Sequence, residues 1–329
     1  MKKIFGPGLL FLCLFLNACL AGQSNLELGQ DASARGDYET ALQAFRAAAE
    51  EGSAKAMYRL GISYYYGQGA EVDQEKGTYW LEKALQAFKA EAEEGNMEAM
   101  YYLGRIYYYG QGIEIDRERG SYWLEKALQA FKAKAEEGNV EAMYHLGLTY
   151  YYGQGLEEED WEKSLYWLEK AAKAGNLEAM YALGLVYIKS DLFGQHQALY
   201  WWEKAAEAGN AQAMNSLGIA YYKGEGAEFD REKAVYWWTR AALAGNVAAM
   251  HNLGMAYHKG EGAKPDQEKA FYWFEKAALS GHPDGMYKLG LAYRDGLGTA
   301  RDRDQARQWL QKAASRGHEG AKEALDEMP

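Results

Sequence analysis

Beyond residue 19 the chain contains no cysteine. That excludes a disulfide framework, a thiol nucleophile and a cysteine-ligated metal in all that follows. It also has no cluster of Lys and Arg, which a nucleic-acid ligand needs on one face, and the formal net charge of −11 points the same way. No nucleic-acid partner is expected. No Ser-x-x-Lys, no Gly-x-Ser-x-Gly and no nucleophile with a credible base occurs, so a catalytic role is disfavoured and no cofactor is expected. Only four prolines are present. With 48% hydrophobic and 25% charged residues, the composition is that of a globular chain, not a disordered one. Tyrosine is abundant, at 27 residues, and tryptophan reaches ten.

The first nineteen residues are a different kind of text. Lys2 and Lys3 precede the apolar run "LLFLCLFL", which is shorter than the roughly 20 residues of a membrane span. A basic start and an apolar middle read as a secretory signal. The ending, Leu16 to Cys19, resembles the bacterial lipoprotein signal, although Asn17 is less usual at its place. That resemblance implies a signal peptide over 1–18, a lipidated Cys19 and a tether over 19–25. It further implies contact with a membrane through the N-terminal lipid. Leu20, where aspartate would retain the protein at the inner membrane, implies outer-membrane delivery, facing the periplasm or the surface. Loss of Lys2 and Lys3 would take the charge from −11 to −13.

Internal repetition decides the fold class. The pair Leu-Gly recurs at Gly61, Gly104, Gly147, Gly184, Gly218, Gly254 and Gly290. Residues 54–96 and 97–139 agree at 32 of 43 positions, as duplicated units do. Each unit reads as two helices. In the first, Ala56, Met57, Leu60, Gly61 and Tyr64 share a face at helical spacing. Gly67-Gln68-Gly69 ends that helix, Asp73 suits the next N-cap, and Gly77, Trp80, Leu81 and Ala84 form a second apolar stripe. Asn96, Asn139, Asn176, Asn210 and Asn246 repeat a cap that His282-Pro283 replaces once. Two units carry seven extra residues around "LQAFKAE", nearly two turns, so the stripe keeps its phase and the helix is expected to lengthen and project. Residues 26–52 are expected to form an N-terminal capping pair, and 318–329 a closing helix.

The pattern Ala-x-x-x-Leu-Gly-x-x-Tyr-x-x-Gly-x-Gly, followed by Asp-x-x-Lys-Ala-x-x-Trp-x-x-Lys-Ala-Ala-x-x-Gly, resembles the Sel1-like repeat, a relative of the tetratricopeptide repeat. It covers residues 53–317 in seven copies, and Ala249 to Gly281 fits it best. The resemblance implies an all-α, right-handed superhelical solenoid of antiparallel helix pairs, used as a binding scaffold.

Most chemistry-like features have a packing explanation. The Gly-x-Gly turns follow helices, unlike phosphate loops, which follow strands. The methionine column from Met57 to Met286 and the tryptophan column from Trp80 to Trp309 fall on apolar stripes and read as core. Paired carboxylates such as Glu93-Glu94 read as a solvated edge. His251 and His258, seven apart, stand about 10 Å from each other along a helix, too far for a shared metal. By carry-over from the tetratricopeptide pattern, two columns should line the concave groove. They comprise Tyr58 and Tyr65, Tyr101 and Tyr108, Tyr144 and Tyr151, Tyr181 and Ile188, Asn215 and Tyr222, His251 and His258, Tyr287 and Arg294, with Arg105 and Tyr109 beside them. Tyrosine offers such a surface rigid apolar area with a polar tip. The expected function is a non-catalytic envelope scaffold that holds a protein or peptide. Peptidoglycan or glycan binding, neutralisation of a secreted toxin, and β-lactam binding or hydrolysis stand as alternatives. The stretch Asp191 to His196, which lacks the Gly-x-Gly turn, is read as local drift, with a bend or a site there as the alternative.

Overall fold

The computed structural model describes residues 24–111, 113–153, 159–189 and 194–328. The expected signal peptide, the lipidated Cys19 and most of the tether lie outside these residues, as do 190–193 of the irregular stretch. Seventeen helices and no strand occur among the described residues. A capping pair, α1 (Asn25–Arg35) and α2 (Tyr38–Glu50), precedes α3 (Ala54–Tyr66) and α4 (Gln74–Glu93). The pairs α5 (Met97–Tyr109) with α6 (Arg117–Glu136), α7 (Val140–Tyr152) with α8 (Trp161–Lys173), and α9 (Leu177–Lys189) with α10 (Gly194–Glu207) follow. Then come α11 (Ala211–Lys223) with α12 (Arg231–Leu243), α13 (Val247–Lys259) with α14 (Gln267–Leu279), and α15 (Pro283–Asp295) with α16 (Arg303–Ser315). A short α17 (Glu319–Asp326) closes the array. No helix among the described residues is long and apolar enough to cross a membrane.

The same local rules build every pair. The first helix is 13 residues long from α3 to α15, and its cap side chain accepts the backbone N–H three residues on, as Asn139 does from Ala142 at 2.8 Å. His282 caps α15 through Nδ1, with Pro283 next, and His318 caps α17 in the same way. Gly110 ends α5 at φ 64°, a left-handed conformation that satisfies the carbonyl of Ile106 at little steric cost. The chain then returns so that the Asp116 N–H meets the Tyr107 carbonyl at 2.9 Å, and Asp116 caps α6. Tyr64 with Asp73, Tyr221 with Asp230, and Tyr257 with Asp266 repeat this clasp.

The core runs between the two helices of each pair. Leu60, Leu103, Leu146, Leu183, Leu217, Leu253 and Leu289 are all 0% exposed. Each contributes roughly 1.5–3 kcal/mol by leaving water. The glycine that follows each of them lets the second helix approach: a Cβ on Gly104 would lie 2.7 Å from Leu124 Cγ. This places the core of the second helices at Leu81, Leu124, Leu168, Trp202, Trp238, Phe274 and Leu310. The tryptophan column expected there is one residue out of phase. Trp80, Trp123, Trp201, Trp237, Trp273 and Trp309 are half-buried on the flank, and of the column only Trp167 is buried. The methionine column packs partly buried, with Met214 and Met286 fully so.

The two long helices also differ from expectation. The stripe does keep its phase through Gly77, Leu81, Ala84, Phe88 and Ala92. The added turns do not project freely, however. Phe88 and Phe131 are 0% exposed, because rings from the first helices cover them.

The first helices of successive pairs touch one another, as Tyr58 does Tyr102 and Asn215 does Asn252, and they form the inner layer of the solenoid. The array also meets its own beginning. Arg316 donates to Glu39 and to the Gly281 carbonyl, both at 2.6 Å, while Arg35 packs on Gly245 and α1 touches α11.

Candidate functional site on the inner helices

The expected groove columns occupy the fifth and twelfth positions of each inner helix. The fifth column mostly bridges neighbouring helices. Tyr58 is buried and its hydroxyl donates to Gln111 at 2.9 Å, so it supports the wall and presents no contact surface of its own. Its ring lies 5.1 Å from Tyr102, and Tyr102 stacks on Phe88 at 5.0 Å. Tyr101 repeats the arrangement, edge-on to Phe131 and 6.4 Å from His145. Burial, with Glu178 and Glu141 nearby, pushes the Tyr144 hydroxyl above its usual pKa. Tyr181 and Asn215 border a recess completed by Arg35, Gly36 and Tyr38, so the capping pair stands over them.

In the twelfth column Tyr65, Tyr108 and Tyr151 are half-buried, and each ring is edge-on to the tyrosine that follows it. Ile188 is exposed. Tyr222 donates to Glu261 at 2.8 Å and lies 5.4 Å from Trp238. His258 pairs with Gln267 at 2.8 Å, whereas His251 stacks on His282 at 5.0 Å. The two histidines thus turn to different neighbours. Tyr287 stacks on His318, and Arg294 grips Asp295 through two bonds of 2.8 and 2.9 Å.

A charge network crosses the N-terminal halves of α3, α5 and α7. His145 Nε2 lies 3.4 Å from Glu98 and 3.2 Å from Glu141, and Lys55 bonds Glu98 from the other side. The His145 hydrogen bond, with that of Lys55, outweighs burial and brings Glu98 down to about 2. Burial opposes charge on His145, but Glu141 and Glu98 prevail and raise its pKa. One ligand atom from each of Glu98, Glu141 and His145 fits within 4.8 Å, near enough to share a cation. Lys55 already supplies that positive charge, so the group is read as an ion-pair network. His251 behaves in the opposite way. Burial, with His282 beside it, lowers its pKa to about 4, and its Nε2 is buried without a hydrogen-bond partner.

Two cavities open one repeat apart in the later half. One, of about 320 Å³, lies over Trp238 between Ile219, Tyr222 and Lys223 of α11 and Met255 and Lys259 of α13. The other, of about 160 Å³, lies over Phe274 between His258 of α13 and Lys288 and Leu291 of α15.

The Sel1 repeat profile matches residues 54–87, 98–130, 140–176, 177–210, 211–246, 247–282 and 283–318. The chain is a Sel1 repeat protein. Among solved structures it is similar to a Sel1 repeat protein from Oxalobacter formigenes, at 28% identity and TM-score 0.57, covering 100% of this chain and 96% of that one. It is also similar to c5321, a protective antigen of uropathogenic Escherichia coli strains with an SLR fold, at 28% identity and TM-score 0.55. That match covers 86% of this chain but only 58% of the antigen. The immunity protein PA5088 from Pseudomonas aeruginosa lies further off, at 16% identity and TM-score 0.36 over 84% of this chain and 88% of that one. No curated protein matches the chain. Sel1 repeat proteins are typically non-enzymatic and mediate protein–protein interaction.

Column by column, the Sel1 array shows two further surfaces, of which the sequence pointed only to Tyr109. The thirteenth position of the inner helices holds Tyr66, Tyr109 and Tyr152, exposed by 57%, 46% and 53%, and then Lys189, Lys223 and Lys259. Extending the count of seven by one residue would have found this row. On the outer helices, Tyr79, Tyr122, Tyr166, Tyr200, Tyr236 and Tyr272 are each about half exposed. Their signal was the recurring Tyr-Trp pair, of which only the tryptophan had been followed. The charge network had no linear signal, since its members come from three repeats.

Proposed function

We propose that this Sel1 repeat protein is a non-catalytic scaffold that holds a protein or peptide along its inner helices. One observation carries the reading. The inner face repeats in register over seven helices of equal length, and three of these present half-exposed tyrosines at a matched position. Regular spacing suits an extended partner, and tyrosine is favoured where a contact must be apolar and hydrogen-bonding together. On the lipoprotein resemblance, Cys19 tethers the array to the envelope, with the outer membrane as the expected site.

The test is recovery of partners from cell-envelope extract by the wild-type chain and by a Tyr108→Ala, Tyr109→Ala, Tyr151→Ala, Tyr152→Ala variant. The proposal expects the variant to lose partners that the wild type retains, with both chains equally helical. Equal recovery would remove the groove. Peptidoglycan binding remains the second reading, because aromatic faces also receive sugars. Co-sedimentation with purified peptidoglycan, in place of protein recovery, would favour it.

A further inference from the structure

Arg105 stands at the ninth position of α5, where the other inner helices hold Ile62, Leu148, Leu185, Ile219, Met255 and Leu291. The contrast is sharpest with α3. The first two units share 32 of 43 residues, and Ile62 against Arg105 is one of the few differences. A column that is apolar in six repeats carries one cation in the seventh.

That cation lacks the usual company. Buried arginines are ordinarily paired with an acid, because an unpaired guanidinium out of water is costly. Arg105 is half-buried, and no carboxylate pairs with it among the described residues. The groups around it are the neutral phenols of Tyr58, Tyr101 and Tyr102. Nε is sealed from solvent without a hydrogen-bond partner, and Nη1 reaches only the Tyr101 hydroxyl, at a long 3.4 Å. The guanidinium carbon lies 5.6 Å from the Tyr101 ring centre, a cation–π contact that offsets part of the desolvation. The acid on the same helix, Glu98, is already held by Lys55 and His145. Arg59, exposed on α3 next to Tyr58, likewise has no ion pair among the described residues. Its charge and that of Arg105 both favour ionisation of the Tyr58 hydroxyl, though burial prevails.

We propose that Arg105 receives a carboxylate side chain from an extended segment of the protein partner. This deepens the groove reading and rests on it. The arginine fork matches a carboxylate through two parallel bonds, and the tyrosine rings around it exclude water, which strengthens the pair. A single cation among tyrosines fits a peptide with one acidic residue among apolar ones. A polyanionic glycan would call for a cation in every repeat, and the ninth column has one in seven.

The test begins with a phage-displayed random dodecapeptide library selected on the purified full chain. Enriched peptides are synthesised with each Asp or Glu changed to Asn or Gln, and titrated against wild type, Arg105→Ile and Arg105→Lys. The proposal expects an acidic position whose neutralisation weakens binding roughly tenfold to a hundredfold. Arg105→Ile should weaken binding as much, and Arg105→Lys less. Arg105→Ile restores the residue of the sister repeat, so its melting temperature should equal or exceed that of the wild type. A library with no binder, or binders indifferent to Arg105→Ile, would overturn the arginine assignment. If those binders are still lost on Tyr109→Ala and Tyr152→Ala, the groove reading survives. If they ignore every inner-face variant, both fall. Retention on purified peptidoglycan that depends on Arg105 would transfer the anion to a glycan and overturn the peptide.

Discussion

The first three repeats build the inner face mostly from aromatic side chains and the last three mostly from polar ones. From α3 to α7 the fifth and sixth positions hold Tyr58, Arg59, Tyr101, Tyr102, Tyr144 and His145, and the thirteenth holds exposed tyrosines. From α11 onward the fifth and sixth places hold Asn215, Ser216, His251, Asn252, Tyr287 and Lys288, the thirteenth holds Lys223, Lys259 and Asp295, and cavities open between the helices. The second helices account for the difference. In α4 and α6 the seven extra residues bring Phe88 and Phe131 behind the inner layer, where Tyr102 and His145 stack on them. The insertion and the aromatic columns are therefore one structural unit. Each long helix gives the rings a floor, and the rings cover the added phenylalanine. The later repeats lack that floor and carry mostly polar side chains at these places.

The strongest way to break the comparison is to remove the floor. Phe88→Ala and Phe131→Ala should each cost about 3–5 kcal/mol, the range for emptying a packed aromatic site. Because repeats interact chiefly with their neighbours, hydrogen exchange should rise in α5 and α7 and stay unchanged in α13 and α15. A uniform rise along the array would contradict the division into halves.

Acid should act on the halves in opposite directions. Glu98 is depressed from 4.5, so its contribution is present above that pH and fades as pH falls toward about 2. His145 is raised above 6.5, so its contribution is full below 6.5 and lost as pH rises through the raised value. The early network is therefore worth most between pH 4.5 and 6.5. His251 is depressed to about 4, so its contribution is present above pH 6.5 and lost as pH falls from there. Urea melts of His251→Gln should show a smaller loss between pH 7 and pH 5 than wild type, by roughly 1–2 kcal/mol. Glu98→Gln should destabilise by about 2 kcal/mol at pH 5.5 and by less at pH 3. Melts with the same pH slope for both variants would erase the contrast.

The smallest effect concerns the join between the two ends. Arg316→Ala should cost about 1 kcal/mol, since Glu39 is 39% exposed and water competes for it. Faster exchange confined to α1 and α2 would mark the lost contact, and no change would show that the ends hold without it.

The repeat, its caps and its turns were legible in the sequence because they depend on contacts within one unit. Gly110 needs its own helix end, and Asn139 needs a backbone N–H three residues away. The phase error at Trp80 has a local cause as well. Trp80 and Leu81 are adjacent and both apolar, and only the approach of Gly61 selects Leu81 for the centre. What the sequence hid depends on other repeats. The burial of Tyr58 requires Tyr102 and Phe88, the cover over Tyr181 requires α1, and the isolation of Arg105 is a property of every residue around it.

The central claim is that partners are held by the inner helices, although the outer helices also present a row of exposed tyrosines. Photo-crosslinking in intact cells compares the two directly, with a benzophenone amino acid at Tyr109 or Tyr152 on the inner face, and at Tyr79 or Tyr236 on the outer one. The account predicts discrete crosslinked protein species from Tyr109 and Tyr152 and none in common from Tyr79 and Tyr236. Crosslinks confined to the outer pair would contradict it.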